Sequence, residues 1–172
     1  LLIKAQGENG LFYSIWANEK YDDVDTTGTA LAALARFKDD NAVKAFCDKA
    51  LEGLSSAQGE NGSYGNINSD AMVIIGLAAM GINPSSDERF VKNGCSLADA
   101  VMLYVNDAGN GFTTTYISRS SGDKARALAT EQGFRALVTL EQLSDCSAFN
   151  VYTIKSEGGQ NAPVKAELKP FE

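Results

Sequence analysis

The hexapeptide Ala-Gln-Gly-Glu-Asn-Gly occurs at residues 5–10 and again, 52 positions later, at 57–62. Each copy sits at the same place in a larger pattern. The end of an apolar-periodic helix precedes it: Leu1, Leu2 and Ile3 before the first copy, Ala50, Leu51 and Leu54 before the second. An aromatic residue, a short loop and a helix rich in small and aliphatic residues follow it. A degenerate third copy, Gly109-Asn110-Gly111-Phe112, follows the apolar positions of 97–105. Self-similarity at a period of about 50 residues implies stacked supersecondary units, none of which buries its apolar face alone.

Periodicity predicts the helices of each unit. Val43, Phe46, Cys47, Ala50, Leu51 and Leu54 form one stripe of an amphipathic helix, and Leu97, Val101, Tyr104 and Val105 repeat the spacing. Thr27–Ala35 and Ala71–Met80 are small or apolar all round, so they are expected to be buried on most sides. Thr130–Leu143, with Phe134, Leu137, Val138 and Leu140, is read as a third of this kind, with a start one turn earlier also open. Thr26/Thr27, Ser69/Asp70 and Thr130 stand where N-caps belong. Thr27, Asp70 and Thr130 fall in register, each seven residues before Leu34, Leu77 and Leu137. The unit is therefore outer helix, Gly-rich turn, inner helix, and the expected class is all-α. After Leu143 the pattern stops: Ala148–Ile154 alternates like a short strand or extended arm, and Gly158-Gly159 with Pro163 and Pro170 reads as tail or linker.

Composition narrows the function. A chain of 172 residues has room for one self-sufficient domain. Its net charge of -7 argues against nucleic acid and against a polybasic membrane anchor. The longest apolar run, Ala71–Met80, is about half a membrane span. Histidine is absent, which excludes a histidine-type zinc site, a Ser-His-Asp triad and a Cys-His dyad within these residues. Cys47 lies on an apolar stripe and reads as core, while Cys95 and Cys146 would be free to pair in a secreted protein. The opening Leu1-Leu2-Ile3, inside a repeat, leads us to expect further repeats upstream.

Leu51, Leu54, Gln58, Asn61-Gly62 and Tyr64, followed by the helix entered at Ser69/Asp70, resemble the repeats of the terpenoid cyclase and protein prenyltransferase superfamily. The resemblance covers residues 1–143 and is nearest to bacterial surface or secreted proteins with prenyltransferase-like repeats; it extends distantly to the cobalamin-carrier toroid. It implies helical hairpins forming part of an α/α toroid, with 144–172 as an extended tail or linker, in an extracytoplasmic bacterial protein. Five helices are about half of the roughly twelve that the resemblance implies for a closed ring. An open half ring would expose inner faces such as Ala71–Met80, so missing repeats or self-association are expected to cover them.

The same resemblance permits residue-by-residue tests. Prenyltransferases hold zinc with an Asp, a Cys and a His, and the His is missing. Thioester toroids carry Gly-Cys-Gly-Glu-Gln, whereas this chain has Gly94-Cys95-Ser96-Leu97. Class II terpene cyclases use Asp-x-Asp-Asp; Asp23-Val24-Asp25-Thr26 matches two of three aspartates, with Asp25 at the proton donor's place. Protonating an alkene needs a carboxylic acid held neutral by burial, hydrogen bonding or a second carboxylate. The competing reading gives Asp25 the helix cap. Asp22, Asp23 and Asp25 are also hard oxygen ligands of the kind calcium takes, without an EF-hand pattern.

Other ligand-binding candidates lie toward the start of the inner helices. Trp16, Tyr64 and Tyr116 either stack on a ligand or plug gaps between hairpins. Glu131 and Gln132 either line a cavity or complement the helix dipole. Asp70 belongs to the same end. Arg119, Lys124 and Arg126 read as a solvated basic patch. The expectation is a non-enzymatic binding or interaction module with no obligatory metal or cofactor, holding a small ligand or a partner. The alternatives are a cyclase-like enzyme with Asp25 as general acid and a corrinoid carrier.

Overall fold

The repeated hexapeptide folds into the same turn twice. The Gly7 amide donates to Leu11 O at 2.7 Å and that of Gly10 to Gly7 O at 3.2 Å; Gly59 donates to Ser63 O at 2.9 Å and Gly62 to Gly59 O at 2.9 Å. Gln6 Nε2 donates to Gly10 O and Phe46 O, each at 2.9 Å, and Gln58 Nε2 to Gly62 O at 2.7 Å and Phe90 O at 3.0 Å. The glutamine thus closes its own turn and pins it to a neighbouring segment. Gly10 and Gly62 sit at φ +88° and +82°, and a Cβ there would lie 2.2 Å from Lys49 O or 2.8 Å from Ser96 O. Conformation and space both demand glycine.

This structure, a computed structural model, describes residues 2–116 and 124–153. Its helices are α1 (Val24–Leu34), α2 (Asn41–Ala57), α3 (Ile67–Met80), α4 (Leu97–Val101) and α5 (Ala127–Asp145). The outer helices follow the periodicity. α2 turns Cys47, Ala50, Leu51 and Leu54 inward, and α4 runs into a 3-10 turn, Met102–Tyr104. α3 packs between α1 and α5. The α1–α3 approach is close enough that a Cβ on Gly28 would lie 2.4 Å from Met72 O, and one on Gly76 2.5 Å from Gly28 O.

The all-α expectation is corrected. Two antiparallel hairpins accompany the helices: β1 (Tyr13–Trp16) with β2 (Glu19–Asp22), and β3 (Val91–Lys92) with β4 (Cys95–Ser96). The fold is mixed, and the three inner helices in a row do not make a clear toroid. Both hairpins turn on two residues at positive φ, Ala17-Asn18 and Asn93-Gly94.

The expected caps also shift by one turn. Asp23 caps α1, its Oδ1 accepting from Asp25 N at 3.0 Å and Thr26 N at 3.3 Å, so Asp25 is not the cap. Asn66, not Ser69 or Asp70, caps α3. α5 begins after Arg126 without a side-chain cap, and Thr130 lies one turn inside it.

Of the burial expectations, that for α3 holds and that for α5 changes. α3 is enclosed, with Ala71, Val73, Ile74, Leu77 and Ala78 at 0% exposure, so the inner face of Ala71–Met80 is not left open. α5 is less buried than its sequence suggests, leaving Leu128, Phe134 and Val138 exposed. No strand forms over residues 148–153; the chain folds back on the helices instead. Phe149 N donates to Ala78 O at 3.0 Å and Asn150 Nδ2 to Ala32 O at 2.9 Å. Cys47 is buried, Cys95 and Cys146 are exposed, and none of the three is in a disulfide. Ile154, Gly158-Gly159, Pro163, Pro170, Arg119 and Leu1 lie outside the described residues. No helix among the described residues is long and apolar enough to cross a membrane.

Candidate functional site

The register of Thr27, Asp70 and Thr130 has a structural meaning. Each is the fourth residue after the helix cap, and each accepts the amide of the aromatic that follows the turn. Phe12 N donates to Thr27 Oγ1 at 2.9 Å, Tyr64 N to Asp70 Oδ1 at 2.7 Å, and Phe112 N to Thr130 Oγ1 at 3.0 Å. These bonds set each inner helix at one height against its turn. The three helices then meet side by side toward their N-terminal ends: Asn68 Nδ2 donates to Gln132 Oε1, and the Ser69 hydroxyl lies near enough to Asp25 to lower its carboxyl pKa.

Two positions beyond the register residues stand Thr29, Met72 and Gln132, one from each inner helix. Together with Asp25, Thr26, Ala30 and Ala33 they line a cleft of about 410 Å³ whose wall is mostly apolar. The C-terminal segment reaches the same neighbourhood. The Tyr152 hydroxyl lies 4.0 Å from Met72 Sδ and accepts from Arg135 Nη1 at 3.0 Å.

The polar groups of the cleft are arranged asymmetrically. Thr26 Oγ1 donates to Asp23 Oδ2 at 2.7 Å, and Thr29 Oγ1 donates to Asp25 O at 2.9 Å. Both hydroxyl protons are therefore spent inside the protein. Burial raises the Asp25 carboxyl above its ordinary value; the Ser69 hydrogen bond opposes the rise and the Asp23 charge adds to it.

Behind the cleft, Asp70 is fully buried. Its Oδ1 also accepts from Ser63 Oγ at 3.2 Å, and its Oδ2 has no partner among the described residues. Burial pushes its carboxyl up to about 7, against the pull of the Tyr64 amide and the Ser63 hydroxyl, and the Asp25 charge adds to the rise. Ser63 Oγ makes a further hydrogen bond to the Tyr104 hydroxyl, whose pKa burial raises to about 12.

Of the residues singled out from the sequence, the fold brings Asp25 and Gln132 into the cleft, with Asp23 and Asp70 directly behind. Glu131 points elsewhere and pairs with Arg135. Trp16, at the end of β1, is 77% exposed. Tyr64 is partly buried and donates its hydroxyl to Leu54 O at 2.9 Å, as a plug would. Tyr116 is exposed, its ring 6.5 Å from that of Tyr104. Asp22 accepts from Asn9 Nδ2 at 2.7 Å, and among the described residues no group of three or more acidic or cysteine side chains is placed to hold a metal. Lys124 and Arg126 are exposed. Sequence reasoning missed Thr26, Thr29 and Met72 as cleft residues, although the register, carried two positions further, points to Thr29 and Met72. No family model, curated protein or solved structure matches the chain.

Proposed function

We propose that this chain is a non-enzymatic binding module that holds a small molecule in the cleft between α1, α3 and α5, which runs along α1 from Asp25 to Ala33. The cleft lining carries this reading: Ala30, Ala33 and Met72 offer an apolar surface, with Asp25, Thr26, Thr29 and Gln132 at fixed places beside it. Ligand sites combine these two elements at about this size, roughly 300–1,000 Å³. Native mass spectrometry of the chain as purified, beside Ala33→Phe, tests it. Ala33 is exposed, so the larger ring takes room from the cleft and not from the core. The expected result is a bound small molecule in the parent and none in the variant, with Tm unchanged within about 2 °C, as for a surface change. An adduct that survives Ala33→Phe would move binding elsewhere.

One observation favours a second reading. Asp25 combines a raised carboxyl pKa with a place in a mostly apolar cleft, which an acid that protonates an alkene requires. Asp25→Asn would then abolish turnover of a polyprenyl substrate while leaving Tm nearly unchanged. Because Asp23 is the cap, loss of the Asp25 carboxylate does not carry the cost of about 1 kcal/mol that cap removal does.

A further inference from the structure

Resting on the cleft as a binding site, we infer that its ligand is an organic cation, a primary ammonium on a small apolar body. Hydrogen-bond supply in the cleft selects for such a group. A hydroxyl can donate once and accept twice. Thr26 and Thr29 have committed their protons to Asp23 Oδ2 and Asp25 O, so toward the cleft they offer only lone pairs. The Asp25 carboxylate adds acceptors of its own. Gln132 contributes donors through Nε2, its Oε1 being occupied by Asn68. Three of the four polar side chains lining the cleft thus ask for donors, and an ammonium group carries three donors and no acceptor.

Electrostatics point the same way. The nearby cation, Arg135, is engaged by Glu131 and Tyr152. Each helix N-terminus contributes about half a positive charge, which the full charges of Asp23 and Asp25 on α1 oppose. An arriving ammonium also holds Asp25 in its charged form, because an opposite charge within hydrogen-bonding reach favours ionisation. A net charge of -7 raises the local concentration of any cation. Ala30, Ala33 and Met72 leave room for a body without polar groups of its own.

Three probes with one apolar body separate the possibilities: 2-phenylethylamine, 2-phenylethanol and phenylacetate, titrated calorimetrically into the full chain and into Asp25→Asn and Ala33→Phe. The amine is expected to bind roughly tenfold or more tighter than the alcohol, the step that one charged hydrogen bond supplies. In Asp25→Asn that advantage should vanish while the alcohol's affinity stays within about twofold. An alcohol or carboxylate that binds as tightly as the amine, or an amine advantage that survives Asp25→Asn, overturns the ammonium inference and leaves the cleft standing. If none of the three binds, or all bind Ala33→Phe unchanged, the cleft itself is not the site and both readings fall.

Discussion

The amides of Phe12, Tyr64 and Phe112 are tied to equivalent positions of three successive helices, but the acceptors differ in kind. In the first and third units a threonine hydroxyl accepts the bond, and the cap residue's amide returns one to the aromatic's carbonyl: Asp23 N to Phe12 O and Arg126 N to Phe112 O, each at 2.9 Å. In the middle unit the cap, Asn66, lies only two residues beyond Tyr64, and no return bond forms among the described residues. A longer acidic side chain takes over there, and Asp70 reaches both Tyr64 N and Ser63 Oγ. The units share one scaffold, yet only the middle one anchors it with a group that can ionise. Because α3 lies between α1 and α5, that group is buried from both sides.

The largest effect follows from this difference. The folded carboxyl of Asp70 titrates near 7, above its ordinary 3.8. A raised folded value means that its stabilisation is full below about 3.8 and is lost as pH rises through about 7. The gap corresponds to about 4 kcal/mol, felt as a fall in urea-unfolding free energy between pH 4 and pH 7.5. Asp25, Tyr64 and Tyr104 are the titratable groups facing Asp70; all three are raised, and Asp25 is the carboxyl among them, so the series is run in an Asp25→Asn background. Asp70→Asn should flatten the profile. Asp70→Thr, which gives the middle unit its neighbours' residue, should flatten it as well and raise stability at pH 7.5. An undiminished slope in Asp70→Asn would mean that the carboxyl is not what distinguishes the middle unit.

A second comparison sets the two threonines against each other. Thr27→Val and Thr130→Val each strand one main-chain amide at nearly constant volume. The Phe12 bond is buried, whereas the Phe112 bond is only partly so. An unsatisfied buried donor costs about 1–3 kcal/mol, so Thr27→Val should fall in that range and Thr130→Val below it. Equal losses in thermal unfolding would show that burial does not separate the outer units.

Much of this scaffold was legible because repetition is local. Each copy of the hexapeptide, the amphipathic stripe of α2 and the seven-residue spacing from Thr27, Asp70 or Thr130 to its leucine is read within a few turns of chain, and each corresponds to a bond or a buried face. The role of the register residues was not legible. Thr and Asp are good caps in isolation, and only the packed turn shows that they serve the amide of a distant aromatic. The β3–β4 hairpin has a local signal in Asn93-Gly94, both at positive φ, but its strands are only two residues long and show no alternation. The β1–β2 hairpin turns on Ala17 at φ 51°, which few rules would favour. The exposed face of α5 departs from its sequence because Phe134 and Val138 look like core residues and find no neighbour that encloses them. Asp25 and Gln132 were visible as candidates, but Met72 joined them only when three helices came side by side.

The smallest effect isolates the middle unit most sharply. Ser63 precedes Tyr64 where the outer units have Leu11 and Gly111, so its hydroxyl is peculiar to this unit. It bonds Asp70 Oδ1 and Tyr104, and its bond to Asp70 favours the charged carboxylate. Ser63→Ala should therefore cost about 1 kcal/mol, the ordinary worth of a hydrogen bond. It should also move the midpoint of the pH–stability profile upward, by less than about one pH unit. The direction matters more than the size, because general destabilisation does not shift a midpoint. A midpoint that stays put would place the Ser63 proton on Tyr104 and leave the Tyr64 amide alone to oppose the burial of Asp70. The middle unit would then differ from its neighbours by a single residue and not by a network.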